Sequence, residues 1–152
     1  MWFSRKQVTK SPPGQPAPLP NQRPDSQATT KRRGDAAESL AQSYLVKAGL
    51  KLADTNYRTP GRGGGEIDLI MRAPDGTLVF VEVRQRSGSS HGGAAASIGA
   101  IKQRRIIFAA RHYLMRFASP PPCRFDVVLV QGRLETGSSA QIEWLQAAFD
   151  AS

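Results

Sequence analysis

Cysteine is almost missing from this chain: Cys123 stands alone among 152 residues, which excludes an internal disulfide and fits a reducing, cytoplasmic setting. No run of about 18 apolar residues occurs, so no segment reads as a membrane-spanning helix. The opening Met1 to Lys6 is basic, but no apolar stretch follows it, and a secretory signal is not expected. Gly-Lys-Ser and Gly-Lys-Thr are absent, which excludes a nucleotide-binding P-loop, and no internal repeat is visible. Acids are scarce: 12 Asp and Glu face 21 Lys and Arg, a net charge of +9. The resulting pI of about 10.4 points to a polyanionic partner. Residues 1–33 hold seven of the cations against Asp25 alone, so a soluble basic tail accounts for most of the excess.

With 39% hydrophobic residues the chain can fill one modest core. Residues 1–33 carry six of the eleven prolines and few aliphatics, too little to offset ordering entropy, and are expected to form a disordered basic tail ahead of one domain over residues 34–150. Lys31, Arg32 and Arg33 could touch phosphates or serve as a solvated linker. From 35 to 48, Ala36, Ala37, Leu40, Ala41, Tyr44, Leu45 and Ala48 recur at helical spacing, and Gly49 supplies the stop. Glu38 either favours the helix dipole or, bordering the buried stripe, reaches a site.

Residues 66–84 organise the rest. Glu66-Ile-Asp-Leu-Ile-Met-Arg72 and Thr77-Leu-Val-Phe-Val-Glu-Val-Arg84 are β-branched, alternating runs joined by Pro74-Asp75-Gly76. The alternation puts Ile67, Leu69 and Met71 on one face of the first run and Glu66, Asp68 and Ile70 on the other. A three-residue hairpin loop ends in a left-handed residue, the place Gly76 fits. Ala73 then pairs with Thr77, and counting backward brings Asp68 opposite Glu82 with Cβ atoms roughly 4.5–5.5 Å apart. Two carboxylates so close conflict unless a cation lies between them, and hard oxygen ligands suit Mg²⁺ or Mn²⁺.

Gly65-Glu-Ile-Asp-Leu-Ile70 followed by Val79-Phe-Val-Glu-Val-Arg84 resembles the PD-(D/E)xK nuclease motif of archaeal Holliday-junction resolvases, and more closely the YraN-type family. With Gly34-Asp-Ala-Ala-Glu38 upstream and Arg124-Phe-Asp-Val-Val128 downstream, the similarity spans about residues 34–149. The resemblance implies a metal-dependent nuclease acting on DNA, branched or junction DNA included, and often a homodimer. Asp68, Glu82 and the Val83 carbonyl would hold Mg²⁺ or Mn²⁺, with Glu38 and Glu66 as further ligands. Arg84 occupies the place of the motif's lysine; it can stabilise phosphate charge but stays protonated and cannot act as a base. That departure keeps a second class open, a nucleic-acid-binding module of the same fold that cuts weakly or not at all. A third is an adaptor docking a partner through the Pro-rich tail.

Around this hairpin, residues 50–58 read as a first strand, and Thr59-Pro-Gly-Arg-Gly-Gly-Gly65 as a mobile loop beside the acids. Arg58 and Arg62 could grip a phosphate backbone there, or the loop is a plain connector. Arg86 lies in a second polar loop with His91, a lone histidine read as solvent-facing; His112 falls inside a helix. Ser97 is the expected N-cap of a helix to Phe117, with Ile98, Ile101, Ile106, Ala109, Ala110, Tyr113, Leu114 and Phe117 inward. Lys102 and Arg105 near its start are either nucleic-acid contacts or a solvated basic face, Lys102 tilting inward. Residues 124–130 form a buried fourth strand in which Asp126 has a structural, hydrogen-bonding role. Residues 142–144 make a short last strand, 145–149 a helical turn. The expected fold is α/β, a restriction-endonuclease-like αβββαββ core with a mixed five-stranded sheet flanked by helices.

Overall fold

A computed structural model describes residues 26–86, 98–132 and 140–151 of the chain. Helix α1 (Ser26–Lys47) leads into strands β1 (Lys51–Arg58), β2 (Glu66–Arg72) and β3 (Leu78–Arg86); helix α2 (Ala100–Leu114) follows, then β4 (Cys123–Gln131) and β5 (Gln141–Phe149). The five strands form one sheet in the order β1-β2-β3-β4-β5. The first three meander antiparallel, β3 and β4 are parallel, and β5 returns antiparallel. A parallel pair cannot be closed by a tight turn, so α2 serves as the crossover. This is the expected αβββαββ order.

The hairpin between β2 and β3 sets the register. Ala73 N donates to Thr77 O at 2.9 Å, and Gly76, at φ +90°, donates to Ala73 O at 2.9 Å. Glycine takes this left-handed conformation without a Cβ penalty. The ladder continues through Arg72↔Leu78, Met71↔Val79, Ile70↔Phe80 and Leu69↔Val81.

Two apolar layers sandwich the sheet. Ile70, Leu78, Phe80, Phe125, Val127 and Leu129 meet Ile106, Ala109, Ala110 and Tyr113 of α2. On the opposite face Leu69, Met71, Val79, Val81, Val128 and Val130 meet Ala37, Ala41 and Leu45 of α1. Each of those three alanine and leucine positions lies four residues from the next, the spacing that lines one side of a helix. Ile67 departs from the alternation and joins the α2 layer with Tyr57, its partner on β1.

Four expectations need correction. α1 begins at Ser26, eight residues ahead of the expected boundary. Residues 30–33 are exposed. Extending an already nucleated helix adds one hydrogen bond per ordered residue, so it does not require an apolar face. The remainder of the tail, residues 1–25, lies outside the described residues. α2 starts later and ends sooner than expected: Gly99 is its N-cap without a side-chain cap, and it ends at Leu114. Ser97 and His91 lie outside the described residues. Ile101 is 67% exposed, not inward.

The last correction concerns residues 145–149, which continue β5 as strand. Phe149 pairs with Phe125, after a register irregularity between Phe125 and Val127. Ala147 sits there at φ +50°. Three residues of β5 lie between Leu145 and Phe149 against Asp126 alone on β4, so the strand bulges here and its apolar spacing looks helical although the chain stays in the sheet. Asp126, fully buried, holds the irregularity: its carboxylate accepts from Ala147 N (3.0 Å), Trp144 Nε1 (2.9 Å) and Arg124 Nε (3.1 Å). The structural role expected of Asp126 is the one observed.

Candidate carboxylate site at the opening of the sheet

β2 and β3 separate beyond Leu69↔Val81, and Asp68 turns its side chain into the gap. Its Oδ2 accepts from Val83 N at 2.8 Å. The carboxylate thus satisfies an amide that the departing strand no longer reaches. Continuing the hairpin register by one residue brings Asp68 opposite Glu82, close enough for the two carboxyl groups to interact electrostatically. Burial, followed by the charge of Glu82, pushes the Asp68 carboxyl up to about 8 despite the Val83 amide, which acts the other way. Asp68 therefore keeps its proton at neutral pH when no cation is present.

Glu82 is buried on the α2 face, where Lys102 reaches its Oε1 from the first turn of α2, the Lys102 side chain remaining half exposed. Arg58 Nη2 lies 3.3 Å from Glu66 Oε2 across the β1–β2 pair. Glu38 approaches from α1. It is half-buried, hydrogen-bonded to the Asn56 side chain, and pushed upward by burial and then by Asp35, with Glu66 and Glu82 adding to the effect. Asn56 has φ +51°, a left-handed conformation that asparagine tolerates better than most residues.

These groups open onto a cavity of about 760 Å³ walled by Arg58, Thr59, Glu66, Asp68, Glu82, Ile101, Lys102, Arg105 and Ile106, together with glycines of the loop before β2. Arg62 is exposed on that loop. Arg84 and Arg86 continue β3 beyond Glu82, half-buried and in register with Leu129 and Gln131 of β4. Those three arginines are not among the described residues walling the cavity. Among the described residues no three Asp, Glu, His or Cys side chains form a ready metal-binding group. The donor set is therefore two carboxylates, Asp68 and Glu82, with Glu66 engaged by Arg58 and Glu38 by Asn56. Such a pair fits a hydrated Mg²⁺ or Mn²⁺, which keeps several waters and takes one or two protein carboxylates.

The two ends of the loop from 59 to 65 are tied to each other. Thr59, buried, donates from N to Gly65 O at 3.2 Å and from Oγ1 to the same oxygen at 3.4 Å. A Cβ on Gly65 would lie 1.9 Å from the Arg105 carbonyl oxygen, and one on Gly64 2.1 Å from Thr59 Oγ1. These backbone approaches clamp the start of β2 to α2, which brings Asp68 and Lys102 to the same cleft. Sequence reasoning missed Gly65 as a positioning residue. Three consecutive glycines gave no sign of which one meets another backbone. His112 lies elsewhere, its Nδ1 on the Tyr57 hydroxyl.

A mixed five-stranded α/β sheet that parts to present an acid pair beside a basic helix defines the class of protein. The profile of the Uncharacterised protein family UPF0102 matches residues 37–130, and the chain belongs to that family. It is 72% identical to a UPF0102 protein of Polaromonas naphthalenivorans (strain CJ2) over 158 aligned positions that cover both chains completely. A UPF0102 protein of Polaromonas sp. (strain JS666) is 70% identical over the full length of both chains. One of Albidiferax ferrireducens is 71% identical over 81% of this chain and 91% of its own. The restriction-endonuclease-like assignment agrees with this membership. Among the described residues no helix is long and apolar enough to cross a membrane.

Proposed function

We propose that the chain is a Mg²⁺- or Mn²⁺-dependent nuclease that hydrolyses phosphodiester bonds of DNA, working in the cytoplasm. The observation carrying this reading is the Asp68–Glu82 pair, two electrostatically coupled acids in a cleft rimmed by Lys102, Arg58 and Arg105. Buried acids alone repel phosphate, so an acid pair set among cations suits a ligand that is itself anionic and arrives with a metal. A bound divalent cation would polarise the phosphate and lower the pKa of a water. Asp68 and Glu82 would hold it, and Asp68 would release its proton in doing so. Lys102 would exchange Glu82 for a phosphate oxygen, and Arg58 and Arg105 would orient the flanking backbone by charge-assisted hydrogen bonds. Arg84, two residues past Glu82, would act only on phosphate charge.

Glu66 borders the same cleft and Glu38, which is not among the described residues walling it, feels the charges of Glu66 and Glu82; both stand as further ligands or as the field that tunes the pair. Pairing of two copies into a homodimer belongs to the same proposal and rests on the resemblance to resolvases.

A second reading, a binding module of low activity, draws on one contact. Lys102 on Glu82 neutralises a carboxylate without any metal. Incubating the purified chain with branched, duplex and single-stranded DNA plus Mg²⁺ or Mn²⁺, alongside Asp68→Ala and Glu82→Ala, separates the two. Cleavage lost in both variants supports the nuclease. Binding without cleavage by the wild type supports the module.

A further inference from the structure

The outward side of α2 carries an apolar line that the core does not use. Ile101, Phe108 and Met115 are 67%, 54% and 80% exposed. They recur every seven residues, so they stack along one side of the helix at intervals of about 10 Å, opposite the buried Ile106, Ala109 and Tyr113. Ile101 also walls the acid cleft, so the line begins at the site and runs away from it. Its flanks are basic: Lys102, Arg104, Arg105 and Arg111 belong to α2, and the helix contains no Asp or Glu.

We propose that this face of α2 is a stacking track for unpaired bases, which makes nucleic acid with single-stranded character the substrate class of the adjoining cleft. The inference rests on the nucleic-acid reading above. An exposed phenylalanine between arginines offers a base a flat apolar surface while the guanidinium groups hold the phosphates on either side. In an intact duplex the base faces are stacked on one another, so the same line has nothing to receive. A second copy of this chain suits the face less well. Isologous antiparallel pairing of two such helices about Phe108 would bring Arg104 of each copy near Arg111 of the other, with no acid on either helix to offset them. Among the described residues Arg111 makes a long contact to the Ala151 carbonyl, at 3.5 Å.

The test is fluorescence anisotropy of the full chain with a fluorescein-labelled single-stranded DNA oligonucleotide and with the same strand annealed to its complement. Phe108→Ala is expected to weaken single-strand binding roughly 5- to 100-fold while leaving duplex binding within about twofold; Phe108→Trp is expected to keep it. Phe108 is largely exposed, so circular dichroism should be unchanged in both variants. Equal weakening on both DNAs, no weakening on either, or a halved sedimentation mass in Phe108→Ala would each overturn the inference while the nucleic-acid reading stands. A wild-type chain that binds neither oligonucleotide would remove that underlying reading, and the track with it.

Discussion

Asp68 reaches across the gap between β2 and β3 to accept a hydrogen bond from the Val83 amide, at 2.8 Å, and faces the Glu82 carboxyl, whose charge it feels. One side chain thus closes the end of a ladder and forms half of an acid pair, and the consequences can be measured separately.

The first is a dependence of stability on pH. The Asp68 carboxyl is pushed from 3.8 to about 8 in the folded chain. Below the unfolded value both states hold the proton, and the group contributes nothing. Between about 4 and 8 only the unfolded state releases it, so the metal-free chain loses stability as pH rises across that window, on the order of a few kcal/mol in all. Urea midpoints in EDTA should fall over this range for the wild type and stay flatter for Asp68→Asn.

Lys102 and a divalent cation compete for Glu82. Removing the ammonium in Lys102→Met should tighten Mn²⁺ binding severalfold by calorimetry, since truncating one partner leaves the buried carboxylate seeking another. Phosphate-dependent steps should weaken in the same variant, so affinity for metal and rate of DNA cleavage should move in opposite directions.

Gly65→Ala should damage the site through the backbone. The new Cβ would lie 1.9 Å from the Arg105 carbonyl oxygen, which cannot move without disturbing α2. A loss of about 1–3 kcal/mol in unfolding free energy is expected, together with weaker Mn²⁺ binding. Gly61→Ala should not cause that clash, because nothing stands within 4 Å of its Cβ position, although its positive φ of +90° carries a backbone cost of its own.

Asp126 serves as the contrasting acid. Asp126→Ala would strip the partners from Arg124, Trp144 and the Ala147 amide, each loss costing about 1–3 kcal/mol. Severe destabilisation is expected in urea unfolding, with Mn²⁺ affinity unchanged in whatever remains folded.

Much of this arrangement was readable from local chemistry. Pro74-Asp75-Gly76 determines the hairpin, the hairpin determines which acid faces Glu82, and a parallel β3–β4 pair requires a helix between them. What stayed hidden depends on non-local contacts. Lys102 and Glu82 are twenty residues apart, and nothing in either neighbourhood names the other. The continuation of β5 through residues 145–149 depends on an irregularity held by Asp126 from another strand. Ile101 follows the periodicity of a core residue, but the side chains α2 buries begin at Ile106, and its first turn borders the cleft instead.

The central claim is that the carboxylates of Asp68 and Glu82 seat a divalent cation. Crystals soaked in Mn²⁺ and measured for anomalous scattering test it directly. A peak in contact with both carboxylates, with Lys102 displaced from Glu82, is the expected result. Full soaking with no peak there, and Lys102 still on Glu82, would contradict it.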